Sequence, residues 1–234
     1  MIIVGCDVES TGLRGSEVVE GGVVVMDSTN KFLLSLHSDI LKVGEWSNEA
    51  EKVHGISKAY SDIGRDKVDM WDLVKHYKPQ AVVAHNAEFD KSMFSRYWPE
   101  FLNLPWICSQ RDLPHKSVVN NVTSLRLNHI ASDYGITNSY PHRAVFDALT
   151  SCLMACEHKL DELVNPNIKK YNLAVRHKGK IDFKSKNFLS VKKFLKSNGF
   201  TWQDPIWSNY RATEELYNKI KKITEVSNWV VEVK

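Results

Sequence analysis

The chain has 234 residues, 43% of them hydrophobic and seven of them Trp, enough to bury the core of one medium globular domain with an appendage. It has no basic-then-apolar leader at Met1 and no apolar run near 18 residues, which argues against secretion and a membrane span and leads to the expectation of a soluble, cytoplasmic protein. The net charge of +3 conceals an asymmetry: residues 1–165 hold 16 Lys and Arg against 22 Asp and Glu, whereas residues 166–234 hold 15 against 6. On charge alone only the tail suits a polyanion. The front part has an acidic excess that bound cations would partly explain.

The first strand is expected over Ile2–Val8, with Asp7 and Glu9 at its carboxyl end and a break at Ser10-Thr11-Gly12. Residues two apart on a strand share a face, so Asp7 and Glu9 project side by side. Two carboxylates so placed repel unless a cation or a proton sits between them, and a hard divalent ion such as Mg²⁺, which takes oxygen ligands, is the natural occupant. Glu17–Met26 reads as a second strand, Asp27–Asn30 as a turn and Lys31–His37 as a third strand, giving an antiparallel meander. Ser47–Ser61 carries Val53-His54-Gly55-Ile56-Ser57 with its glycine at a turn, and residues 66–77 approach helical spacing before Pro79.

Ala81–Ala84 reads as a short buried strand, and His85-Asn86-Ala87-Glu88-Phe89-Asp90 leads into a helix ending near Trp98. Asp90 then falls in the first helical turn, where an acid also suits the helix dipole. Trp106–Cys108 is a further strand, Ser124–Tyr134 a helix closed by Gly135, and a long helix runs from just after His142 through Leu160. Five residues separate His142 from Asp147, about 140° on a regular helix. His142 is therefore placed in the preceding loop, where it can swing toward the acid. Cys6, Cys108, Cys152 and Cys156 have no metal-binding or redox spacing and read as buried thiols.

Together, D-x-E-S-T-G at 7–12, H-N-A-E-F-D at 85–90 and H-R-A-V-F-D at 142–147 resemble the DEDDh family of 3′-to-5′ exonucleases over roughly residues 1–165, with its proofreading-subunit-like and exodeoxyribonuclease X-like members nearest. The resemblance implies an α/β, ribonuclease H-like fold: a mixed five-stranded sheet flanked by helices. It also implies two Mg²⁺ or Mn²⁺ ions, with Asp7 bridging them, Glu9 and Asp147 completing one site, Asp90 holding the second, and His142 as general base. Thr11, Gly12 and Leu13 are similar to the family's element that meets the 3′-terminal nucleotide, and Asn86 to a polar contact near the scissile phosphate; ordinary turn capping is the alternative for Thr11 and Asn86. The implied substrate is DNA with single-stranded or frayed 3′ ends, in repair or replication, with a DNA polymerase or other replication protein as a candidate partner. An RNA-trimming exonuclease and a catalytically silent nucleic-acid-binding scaffold are the alternatives.

A composition change at Val164-Asn165-Pro166-Asn167 separates this part from a small basic α+β domain, residues 166–234, read as a nucleic-acid-binding or partner-docking module. Its expected elements are a strand at Lys180–Phe183, a helix at 187–198, a hairpin at 200–207, a helix at 213–223 and a strand at 229–233. Trp202 and Trp207 either stack on bases while Lys184, Lys186, Lys192, Lys193 and Lys196 meet phosphates, or sit in a small core behind a solvated basic face.

Overall fold

The computed structural model describes residues 1–13, 16–164, 170–177, 186–198, 200–203, 206–225 and 229–233. The chain divides into two compact units, Met1–Leu113 with Thr123–Val164, and Pro114–Val122 with Asn165–Lys234. The short 114–122 segment, which the sequence reading includes in residues 1–165, groups with the second unit.

In the first unit, β1 (Ile2–Ser10), β2 (Val18–Asp27) and β3 (Phe32–Ile40) form the antiparallel meander. α1 (Asn48–His54) and α2 (Lys58–Asp62) follow, separated by Gly55 at φ 70, a left-handed conformation that suits a residue without Cβ. The helix expected over 66–77 divides into α3 (Met70–Val74), capped by the Asp69 carboxylate on the Trp71 and Asp72 amides, and a 3₁₀ turn at Lys75–Tyr77. β4 (Ala81–Ala84), α4 (Glu88–Tyr97), β5 (Trp106–Cys108), α5 (Leu127–Asp133), α6 (Ala144–Ala155) and α7 (Leu160–Val164) complete it. The expected run to Leu160 is interrupted: α6 stops at Ala155, and the polar Glu157-His158-Lys159 stretch forms a turn before α7.

The sheet order is β3-β2-β1-β4-β5, with β1, β4 and β5 mutually parallel, so the sheet is mixed. Strand alternation sends Val4, Cys6 and Val8 to one face, where they pack with Met70, Val74, Met93, Phe94 and Trp98 of α3, α4 and the residue closing α4. The opposite face of β1 and β2 belongs to α6. A Cβ on Gly5 would strike the Cys152 thiol and the Ala148 carbonyl, and one on Gly22 would strike the Ala144–Val145 backbone. These two glycines let α6 lie on the strands themselves and bring its first turn beside Asp7, which is paired with Gly22.

The second unit contains β6 (Lys170–His177), α8 (Lys186–Ser197), β7 (Thr201–Gln203), β8 (Ile206–Thr213), α9 (Glu214–Glu225) and β9 (Trp229–Val233). Its antiparallel sheet runs β7-β8-β6-β9, the split βαβ arrangement. Leu173 and Val175 of β6 share a core with Val191 and Leu195 of α8, Ile220 of α9, Phe200, Trp207 and Trp229. Trp207 is 2% exposed, which corrects the reading that would offer it to bases. The expected strand at Lys180–Phe183 and the side chains of Lys184, Lys186 and Trp202 lie outside the described residues. No helix among the described residues is long and apolar enough to cross a membrane.

Candidate active site

The site forms where the carboxyl half of β1 outruns its neighbour. β4 pairs with β1 only as far as Gly5, so the next amides on that edge need another acceptor. The Asp90 carboxylate fills this role for Val8, accepting its N–H at 3.2 Å. Asp90 stands in the first turn of α4 and is 2% exposed. A strand that ends early and a helix that starts beside it thus carry Asp90 to the β1 acids.

Asp7 and Glu9 lie opposite Gly22 and Glu20 across the β1–β2 ladder, on the face covered by α6. Asp147, buried in the first turn of α6, accepts hydrogen bonds from the Asn138 amide and, at 3.3 Å, from the His142 backbone N–H. His142 itself is exposed and takes φ 62, a conformation uncommon outside glycine, asparagine, aspartate and histidine. Glu9, Asp147 and His142 each present a ligand atom within 4.8 Å of the others. Five residues from three separate stretches of chain therefore meet at one end of β1.

Their electrostatics are those of an under-neutralised cluster. Burial, reinforced by Asp90, Glu9 and Asp147, pushes the Asp7 carboxyl well above its usual range. Burial and then the Asp147 and Glu20 charges raise Glu9 to about 8. Burial also raises Asp90 to about 8, against the opposing hydrogen bond from Val8, and raises Asp147 despite the Asn138 and His142 contacts. Carboxylates that resist ionisation together are relieved by a cation between them. The donor set, oxygen-rich with one imidazole at its edge, fits a hard divalent ion better than a soft one.

Glu20 and Asn138 were not anticipated. Glu20 is fully buried on β2 and accepts from the Arg143 guanidinium at 2.7, 3.0 and 3.2 Å, from Ser38 Oγ at 2.6 Å and from the Ala144 amide at 3.0 Å. Burial alone would raise its pKa, yet these donors together hold it below the ordinary value. One signal in the sequence was a lone acid inside an apolar strand, since a buried charge requires a partner. Asn138 sits in an irregular stretch that carries no comparable signal.

The loop after β1 is braced by Thr11, whose N–H donates to the Glu17 carbonyl at 2.9 Å and whose Oγ1 accepts the Glu17 N–H at 3.0 Å. The Gly12 carbonyl accepts from the Ser10 and Ser16 hydroxyls at 2.6 and 2.9 Å, and Leu13 next to it is 83% exposed. Asn86, between β4 and α4, is exposed at φ 57. His54 is buried at the end of α1; its Nδ1 accepts the Ile56 amide at 3.0 Å while Nε2 has no hydrogen-bond partner among the described residues, and burial lowers its pKa. His85 is a packed residue, bonded to Ser109 Oγ and the Leu125 carbonyl.

Residues 4–154 match the family model described as Exonuclease. No curated protein matches the chain. Among solved structures, the nuclease domain of 3′hExo, a DEDDh family member bound to rAMP, superposes with a TM-score of 0.52 at 14% identity, covering 67% of this chain and 90% of that one. E. coli Exonuclease I in complex with a dT13 oligonucleotide gives 0.53 at 14% identity over 76% of this chain and 48% of that one. A full-length 3′-exonuclease gives 0.51 at 16% identity, covering 70% and 62%. This chain spans about half the length of Exonuclease I. At these identities the likeness is one of fold.

Proposed function

The chain belongs to the exonuclease family and is a nuclease, and from that premise we propose that it is a divalent-cation-dependent 3′-to-5′ exonuclease releasing nucleoside monophosphates from single-stranded or frayed DNA ends. The observation that carries this reading is the convergence of Asp7, Glu9, Asp90 and Asp147, all with raised pKa values, beside an exposed imidazole.

A phosphodiester resists hydrolysis because it is anionic, its attacking water is weak, and its leaving oxygen must carry charge. A pair of divalent cations supplies the Lewis acidity that activates the water and stabilises the leaving oxygen. Asp7, Glu9, Asp147 and Asp90 would hold these cations, with Asp7 shared and Glu9 and Asp147 serving the activation of water. His142 takes the proton from the attacking water, since an imidazole is the side chain able to accept and release a proton near neutrality. Its position outside α6 gives the ring room to deliver that proton to solvent. Asp147 accepts the His142 backbone N–H, tying the base to the acid it works beside. Leu13 packs on the 3′-terminal nucleotide, with the Thr11-braced turn holding it in place, and Asn86 meets the scissile phosphate.

The test is digestion of 5′-labelled single-stranded DNA with Mg²⁺ or Mn²⁺ and with chelator. A ladder shortening from the 3′ end, with monophosphate release and full loss on chelation, is expected. An intact strand under both ions, or shortening from the 5′ end, overturns the assignment. Rates on matched RNA separate a deoxyribonuclease from an exoribonuclease, because the 2′-hydroxyl is what tells the two substrates apart.

A further inference from the structure

Resting on the assignment of His142 as base, we propose that Glu20 is a positioning residue for hydrolysis: acting through Arg143 and the first amide of α6, it fixes the backbone turn that aims the imidazole. Among the described residues, the hydrogen bond that holds His142 is made by its main chain. On one side its N–H reaches Asp147 at 3.3 Å; on the other, Arg143 and Ala144 follow directly and both are fastened to Glu20. Between these anchors the His142 backbone sits at φ 62, which needs support from its surroundings to persist.

The chemistry of Glu20 fits this task. Arg143 is the N-cap of α6 and makes no capping hydrogen bond with its own side chain. Glu20 supplies the missing acceptor from another strand, and its charge suits the positive end of the helix dipole. A carboxylate is acceptor-only, with room for about four donors, and the groups bonded to Glu20 are all donors: the guanidinium, the Ser38 hydroxyl and the Ala144 amide. The Arg143 fork takes both carboxylate oxygens, fixing direction as well as distance. A buried ion pair is weak evidence of stability by itself; its place one residue from the base gives it a catalytic consequence.

The test is a double-mutant cycle. Glu20→Gln preserves shape but turns one acceptor into a donor facing donors. It is expected to lower kcat about 10- to 100-fold, the usual range for a supporting contact at a metal site. KM and the rise in Tm on Mn²⁺ addition should be unchanged. His142→Ala alone should lower kcat roughly 10²- to 10⁴-fold. In that background Glu20→Gln should add less than about two-fold, the scatter of independent sites. Equal losses in both backgrounds mean that Glu20 is merely structural and overturn the proposal, as does an unaltered kcat. The imidazole resonances of labelled His142 give a second readout: they should shift or broaden in Glu20→Gln, and identity with wild type counts against the clamp. Arg143→Lys, which keeps the charge but loses the fork, serves if Glu20→Gln does not fold. A wild-type protein inactive on every strand removes the nuclease assignment, while the resonances still decide whether Glu20 sets His142.

Discussion

Around the end of β1, like charges are buried together: Asp90 and Asp147 are almost closed off from solvent, Asp7 and Glu9 are partly so, and the cation acting on Glu9, Arg143, is already engaged by Glu20. In the second unit the interior is Leu, Val, Phe and Trp, and Lys193, Lys196, Lys221 and Lys222 stand exposed on α8 and α9. An exposed lysine is fully hydrated and costs the fold almost nothing, so its presence says little about a partner. A buried acidic cluster weakens the fold until something neutralises it. The acids therefore require a functional explanation, whereas the lysines merely permit one.

Removing one member of the cluster should produce the largest effect. Asp7→Asn is expected to lower turnover by roughly 10³-fold or more, equivalent to several kcal/mol of lost transition-state stabilisation. It should also raise the Tm of the cation-free protein by a few degrees, because one repelling charge is gone. A variant with wild-type turnover would show that Asp7 is not a ligand. A lower Tm in chelator would show that the cluster is not strained.

The pH dependence of the cation-free protein is the next largest. Glu9 and Asp90 titrate near 8 in the fold but near 4 when unfolded. Between those values the native state binds more protons, so stability falls as pH rises. The destabilisation is complete only above pH 8. In chelator, Tm at pH 8.5 should lie below Tm at pH 6 by on the order of 5 °C, given about 2–4 °C per kcal/mol for a chain of this size. Mn²⁺ should shrink that difference. A Tm that is flat or rising across the window in chelator would contradict the raised carboxyl pKa values.

Part of this arrangement was legible before any coordinates. The two-residue spacing of Asp7 and Glu9, the strand-then-helix signal around Asp90 and the start of a helix after His142 each followed from local periodicity, and the meander followed from valine-rich runs and a polar turn. The left-handed His142 backbone had no local signature, since histidine is only a minority occupant of that conformation. Glu20 was hidden because pairing with Arg143 spans most of the first unit, although Gly21-Gly22 beside it marked a strand approached closely on both faces. β6 has no counterpart among the tail's expected elements, which begin at Lys180, although Tyr171, Leu173 and Val175 alternate as a strand should.

The smallest expected effect tests whether the lysines matter at all. Lys193 and Lys196 are three residues apart on α8, hence neighbours on its outer surface, while Val191 and Leu195 face the core. Reversing both charges, Lys193→Glu with Lys196→Glu, leaves that core untouched, so Tm and turnover at saturating substrate should match wild type. If the face meets a strand's phosphates, KM should rise several-fold, and the slope of log affinity against log salt should fall by about 2, one for each lost contact. An unaltered salt slope would make these lysines ordinary solvated surface. The second unit would then act, if it acts on substrate, through another face.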